Sequence, residues 1–204
     1  MSFRIRLGTL SAFAQVRLAV LVLLLGLPLA ALAQGIYPAP AAAPEIELRV
    51  TGTVEVIVPY GTGYVIGGNF TQINGSDRRN IALVDASGAL ADGGFVAGWA
   101  TAGADATVRA LAVSGDELFA GGDFTSFGGQ SRSFVAKVSL LDGSVDADFQ
   151  PAPNGVVRAL ALDAGRGQVF LGGTFTAVDG SARDRAAKVD ADDGILVAGW
   201  IPGY

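Results

Sequence analysis

One stretch of eighteen residues occurs three times in this chain. It reads GGNFTQINGSDRRNIALV from Gly67 to Val84, GGDFTSFGGQSRSFVAKV from Gly121 to Val138, and GGTFTAVDGSARDRAAKV from Gly172 to Val189. Laid over one another without a gap, the copies agree at eight of eighteen positions: the Gly pair, then Phe, Thr, Gly, Arg, Ala and Val. A repeat of this kind makes each copy one structural unit, which buries its apolar faces against its neighbours.

The similarity extends both ways. An alternating apolar run precedes each Gly pair: TVEVIV from Thr53, TVRALAV from Thr107 and VVRALAL from Val156. A turn and an aromatic residue follow, Trp99, Phe149 and Trp200. The units are therefore 53–106, 107–155 and 156–204. Within each, the period is two, which predicts strands. In VRALAV, Val108, Ala110 and Ala112 are expected on one face, and Arg109, Leu111 and Val113 on the other. Asp142-Gly143 marks a hairpin, and SVDADF after it reads as a fourth strand. The expected fold is all-β and of the β-propeller type, with three four-stranded antiparallel blades. Closed propellers need roughly 4–8 blades, so three form an open arc, and the chain reads as a fragment of a longer protein with further blades, ahead of an arc that assembles with other chains. Both ends of such an arc are expected to expose apolar faces.

Each recurring residue has a predicted structural task. The glycine pairs (Gly67 and Gly68, Gly121 and Gly122, Gly172 and Gly173) end the second strand, either at positive φ or where another backbone comes close. Phe70, Phe124 and Phe175 are core anchors between neighbouring units. The hydroxyls of Thr71, Thr125 and Thr176 can satisfy turn groups, and Gly75, Gly129 and Gly180 close the loop. Arg78, Arg132 and Arg183 are the recurring charges. A guanidinium can bind several loop carbonyls at once, or the three can present a ring of ligand-binding cations. The clamp is preferred, because a residue repeated in every unit serves the unit.

The pattern GGxFTxxxGxxRxxxAxV, then a turn, an aromatic and VRALA, resembles the delta-60 repeat family. It is also similar to Kelch repeats, through YVIGG and a Trp further on. The resemblance covers 53–204 and implies propeller blades on exported or surface proteins, mostly bacterial. It brings no catalytic residues. Phe149 stands where the other copies have Trp, and the first unit is five residues longer than the others.

Residues 1–33 have the form of a signal peptide. Arg4, Arg6 and Arg17 precede or open the apolar run Leu18–Leu29, and Ala31-Leu32-Ala33 fits the small-x-small cleavage rule. A leader helix removed before Gln34 is expected, and 34–52 reads as a Pro/Ala-rich linker with a lead-in strand. Without the leader, 11 basic residues stand against 19 acidic ones, a net charge of −8. That argues against nucleic acid, and against an anionic membrane once the leader is gone. The chain has no Cys and no His, which removes disulfides, Ser-His-Asp triads and imidazole chemistry.

The remaining chemistry is sparse. Asp190, Asp192 and Asp193, followed by Gly194, resemble the start of a calcium loop. The following ILVAGW supplies no further oxygen ligand, so the ordinary hairpin turn is preferred. Asp146 and Asp148 share a strand face and read as solvated carboxylates, and Asn69 and Asn74 begin incidental glycosylation sequons. Lys137 and Lys188 recur, but Leu83 replaces them in the first unit. No cofactor is expected. The leading reading is an exported, non-catalytic module that binds a protein or glycan at the cell surface, or scaffolds there. The alternatives are the propeller part of an extracellular enzyme, Kelch-type oxidase or polysaccharide-active, whose site lies elsewhere, and a calcium-dependent adhesin.

Overall fold

A computed structural model describes residues 2–5, 46–91 and 103–200. These form fifteen strands and no helix, and every pairing is antiparallel. β1 (Ser2–Ile5) lies along β2 (Ile46–Tyr60), with Ser2 opposite Arg49. The only described part of the predicted leader is thus extended rather than helical. The rest of the leader, its cleavage site and the linker to residue 45 lie outside the described residues, as does Trp99.

Three sheets follow, one for each repeat. The first pairs β2 with β3 (Gly63–Ile73), and β3 with β4 (Ser76–Asp77) and β5 (Ile81–Val84). The second is β6 (Val108–Ser114), β7 (Glu117–Gly122) and β10 (Val135–Ser139), with the small hairpin β8 (Ser126–Phe127) and β9 (Gln130–Ser131) inserted. The third repeats this with β11 (Val157–Asp163), β12 (Gln168–Gly173) and β15 (Ala186–Asp190), and the hairpin β13 (Ala177–Val178) and β14 (Ser181–Ala182).

The expected fourth strand is reduced to one bridge per unit: Val84 with Leu90, Val138 with Val145 and Val189 with Leu196. Its alternation in SVDADF is misleading for a local reason. The Asp146 carboxylate accepts the N–H groups of Asp148 and Phe149, at 2.9 and 3.3 Å, and turns the chain immediately after the bridge.

The first strands also depart from simple alternation. Each carries a bulge at the same place, between Val54 and Val56, Val108 and Ala110, and Val157 and Ala159. The extra residues are Glu55, Arg109 and Arg158. A bulge moves one residue out of the pleat. Val108 therefore joins Leu111 and Val113 in the core against unit one, instead of sharing the face of Ala112, which packs towards unit three.

The sheets stack face to face, with β6 between β2 and β11. Val65, Ile81 and Leu83 of unit one meet Val108, Leu118 and Phe124 of unit two in one cluster. Phe119, Val135 and Phe149 meet Val157, Leu171 and Phe175 in the next. Phe70, Phe124 and Phe175 are 1%, 0% and 0% exposed, so each anchor contributes about 2–3 kcal/mol of burial.

None of the six paired glycines has positive φ, and five of them, all but Gly172, owe their identity to close approach. A Cβ on Gly68, Gly122 or Gly173 would lie 2.2, 2.1 or 2.0 Å from the carbonyl of Thr53, Thr107 or Val156 across the hairpin. The first glycine of each pair looks outward instead. A Cβ on Gly67 would be 2.7 Å from Val108 Cγ1, and one on Gly121 2.7 Å from Val157 Cγ1, in both cases a side chain of the following unit.

The expectation of two open apolar ends is corrected at unit one. There Ile66, Ala82 and Val84 are 0%, 0% and 1% exposed, in one cluster with Leu48 and Val50 from the lead-in part of β2.

Candidate functional site: the glycine-phenylalanine-arginine loop

The repeated stretch folds as one loop with a fixed hydrogen-bond pattern. At its tip Asn74-Gly75, Gly128-Gly129 and Asp179-Gly180 have positive φ at both positions, from 47° to 80°. That is the type I′ hairpin, whose twist matches its flanking strands. A third left-handed position follows at Asn80, Phe134 and Arg185, with φ of 64°, 68° and 64°. These three residue types share nothing, so no residue pattern points to a common conformation.

The backbone explains why it persists. Asn80, Phe134 and Arg185 donate their N–H to the carbonyls of Phe70, Phe124 and Phe175. Their own carbonyls accept from the N–H groups of Gly68, Gly122 and Gly173. One residue thereby ties both ends of the Gly-x-Phe segment. Two such bonds offset the left-handed strain of about 1–2 kcal/mol.

The recurring arginines hold the same loop. Arg132 Nη1 donates to the carbonyl of Ser131 at 2.7 Å, and Nη2 donates to those of Asp146 and Ala147 at 3.0 and 3.4 Å. Arg78 and Arg183 donate likewise to the carbonyls of Asp77 and Ala182. Arg132 borders a shallow pocket of about 180 Å³ with Ser131, Ser133, Gln150 and Pro151. Its Nε is buried and has no hydrogen-bond partner.

Two residues not singled out in the sequence complete the loop. Asp105 accepts from the Thr125 N–H and hydroxyl, both at 2.8 Å, and from the Ser126 N–H at 3.0 Å. Asn154 does the same in unit three, accepting from the N–H groups of Thr176 and Ala177 and donating to the Thr176 hydroxyl. Each stands three residues before the first strand of the unit whose loop it caps, a spacing that could have found them. Partial burial raises the pKa of Asp105, but the three donors outweigh it and hold the carboxyl below its ordinary value. Unit one has Thr51 at this place, and there β2 and β3 simply continue as a longer hairpin.

The strongest charge cluster centres on Lys137, whose side chain is 6% exposed. It pairs with Glu117 at 2.8 Å and Asp146 at 3.4 Å, approaches Asp192 of unit three at 4.0 Å, and lies 5.8 Å from the centre of the Phe119 ring. Burial would lower its pKa, but the carboxylates of Glu117 and Asp146 outweigh that and raise it. Asp146, read from sequence as half of a solvated pair, is thus a turn cap and a lysine partner, while Asp148 is exposed. A second pair, Arg109 with Asp123, is bidentate at 2.7 and 2.5 Å, and Arg109 lowers the pKa of Asp123.

Asp190, Asp192 and Asp193 form a hairpin turn. The Asp190 carboxylate accepts the Asp192 N–H, the Asp193 carboxylate accepts the Ile195 N–H, and Gly194 has φ of 80°. Asp85 and Asp142 cap the corresponding turns of units one and two. Among the described residues, no three acidic, His or Cys side chains are grouped to hold a metal ion.

The family described as "Domain of unknown function (DUF5122) beta-propeller" matches residues 64–90 and 116–149. Those stretches span the loop of unit one and most of unit two, and support a β-propeller repeat for this chain. No curated protein matches the sequence.

Proposed function

We propose that the chain is an exported, non-catalytic β-propeller module of the delta-60 type, similar to Kelch repeats, which binds or scaffolds at the cell surface as part of a larger arc of blades. One observation carries this reading. The recurring polar groups are engaged with the units' own backbones, as Arg132 is with three carbonyls and Asp105 and Asn154 are with loop amides. A repeat whose polar residues serve its own loops offers rigid sheets and variable rims rather than a reaction centre. The basic, apolar leader supports export.

Expression of the full chain in a bacterium, followed by fractionation and N-terminal sequencing, tests export. The reading expects Gln34 as the first residue in the exported fraction, a form without β1. An intact Met1 in the membrane or cytoplasmic fraction contradicts it. Calcium added to the purified protein should leave its melting temperature unchanged; a rise with calcium but not magnesium would favour the adhesin.

A further inference from the structure

The loop arginine recurs in every unit, but its two neighbours in the chain do not. Arg132 stands between Ser131 and Ser133, Arg78 between Asp77 and Arg79, and Arg183 between Ala182 and Asp184. What repeats serves the unit, and what varies around a fixed clamp is free to serve a ligand. Units one and three each place an acid next to the arginine, and Asp77 accepts from Gln72 while Asp184 lies 3.7 Å from Arg185. Unit two places a hydroxyl on each side and no acid.

Those two serines border the 180 Å³ pocket, and the connection to unit three, Gln150, Pro151 and Ala152, forms its other wall. Arg132 is the only charged residue that lines it. Donors are left over there. The N–H groups of Arg132 and Phe134 donate to the carbonyls of Thr125 and Phe124, but the Ser133 N–H between them donates to no described residue. The Arg132 Nε is buried without a partner, and the side chains of Ser131 and Ser133 are exposed. Gln150 donates its Nε2–H to the Ala147 carbonyl at 2.7 Å, which leaves its Oε1 as an acceptor. The wall is fixed in advance. The Gln150 N–H donates to the Asp193 carbonyl at 3.1 Å, and the carbonyls of Pro151 and Ala152 accept the Asp179 N–H at 3.1 and 3.2 Å. Ala152 is thereby held in the left-handed region, at φ of 46°. A site whose walls are already ordered loses little freedom when it binds.

We propose that this pocket binds an acidic sugar, a uronate, through its carboxylate. The carboxylate meets the Arg132 charge, the Ser133 N–H and the serine hydroxyls. The sugar hydroxyls donate to Gln150 Oε1, and the C–H face of the ring lies on Pro151 and Ala152. A bare carboxylate would use the same donors and leave Gln150 Oε1 without one. A cation would meet a guanidinium and no acid. The site rests on the surface-binding reading proposed above and gives it a ligand class and a place.

The test is an NMR titration of the full chain, read at the Ser133 and Ala152 amides. Glucuronate should move both with a Kd of about 1 mM, as expected for a ligand of about a dozen non-hydrogen atoms. Glucose, which lacks the charge, and acetate, which lacks the ring, should bind at least about tenfold more weakly. Ser133→Asp copies Asp184 of unit three, so the melting temperature should hold, while the like charge weakens glucuronate by at least about tenfold. Ser131→Ala copies Ala182 and should weaken it by about threefold. Amides that stay still at about twenty times the expected Kd overturn the site. So does acetate binding as tightly as glucuronate, or full affinity in both serine variants. Export is read separately by the first residue of the exported protein. A chain that begins at Gln34 outside the cell but binds no glucuronate refutes the pocket alone. One that keeps Met1 inside the cell and still binds it refutes the surface reading alone.

Discussion

At the scale of single residues, the repeated stretch is a set of backbone solutions more than a set of side-chain functions. Phe124 touches both its own hairpin and unit one, edge-on to Phe127 at 5.3 Å. Phe124→Ala should cost about 3–5 kcal/mol in denaturant melts, and a loss below about 1 kcal/mol would place the ring outside the core. Asp105 gives a pH signature. Its folded pKa is lowered, so its contribution is present above the unfolded carboxyl value near 3.9 and is lost as pH falls through the lower folded value. Asp105→Asn copies Asn154 and should leave neutral stability within about 0.5 kcal/mol while flattening the acid limb of the melt. Asp105→Ala should lose about 1–2 kcal/mol at pH 7, and equal stability of both variants would contradict the cap. The Phe anchors and turn glycines were legible because their chemistry fixes their place. The left-handed position of Asn80, Phe134 and Arg185 was not, because it is imposed by two hydrogen bonds to the Gly-x-Phe segment and not by residue type.

At the scale of elements, three strands per unit were readable from alternation and turns, and the fourth was overread. Asp146 folds its segment back on itself, and Arg132 then fastens that segment to the loop through the carbonyls of Asp146 and Ala147. Arg132→Lys keeps the charge but cannot span Ser131, Asp146 and Ala147 together. It should cost about 1–2 kcal/mol and raise amide exchange in 145–149, where full stability with loss of a bound ligand would reinstate the ligand-binding arginine. The bulges at Glu55, Arg109 and Arg158 were also missed. A bulge adds one residue without breaking the apolar run, so periodicity alone assigns Val108 to the wrong face.

At the scale of the whole molecule, the units stack so that the first strands of units two and three each place a valine against a glycine of the unit before. The repeat period foretold stacking, but not that in the first two pairs one glycine faces its own hairpin and the other the following unit. Gly122→Ala should destabilise whatever happens in unit three, because its obstacle is the Thr107 carbonyl. Gly121→Ala instead meets Val157 of the next unit, with its Cγ1 at 2.7 Å the nearest obstacle, ahead of its Cβ at 3.2 Å and its carbonyl oxygen at 3.3 Å. A double-mutant cycle between Gly121→Ala and Val157→Ala in the full chain therefore tests the stack most directly. Gly121→Ala alone should cost about 1–3 kcal/mol, and that cost should fall by at least about 1 kcal/mol when Val157 is already alanine. Strictly additive losses, with coupling below about 0.3 kcal/mol, would mean that the two residues do not meet and that the units do not stack in this way.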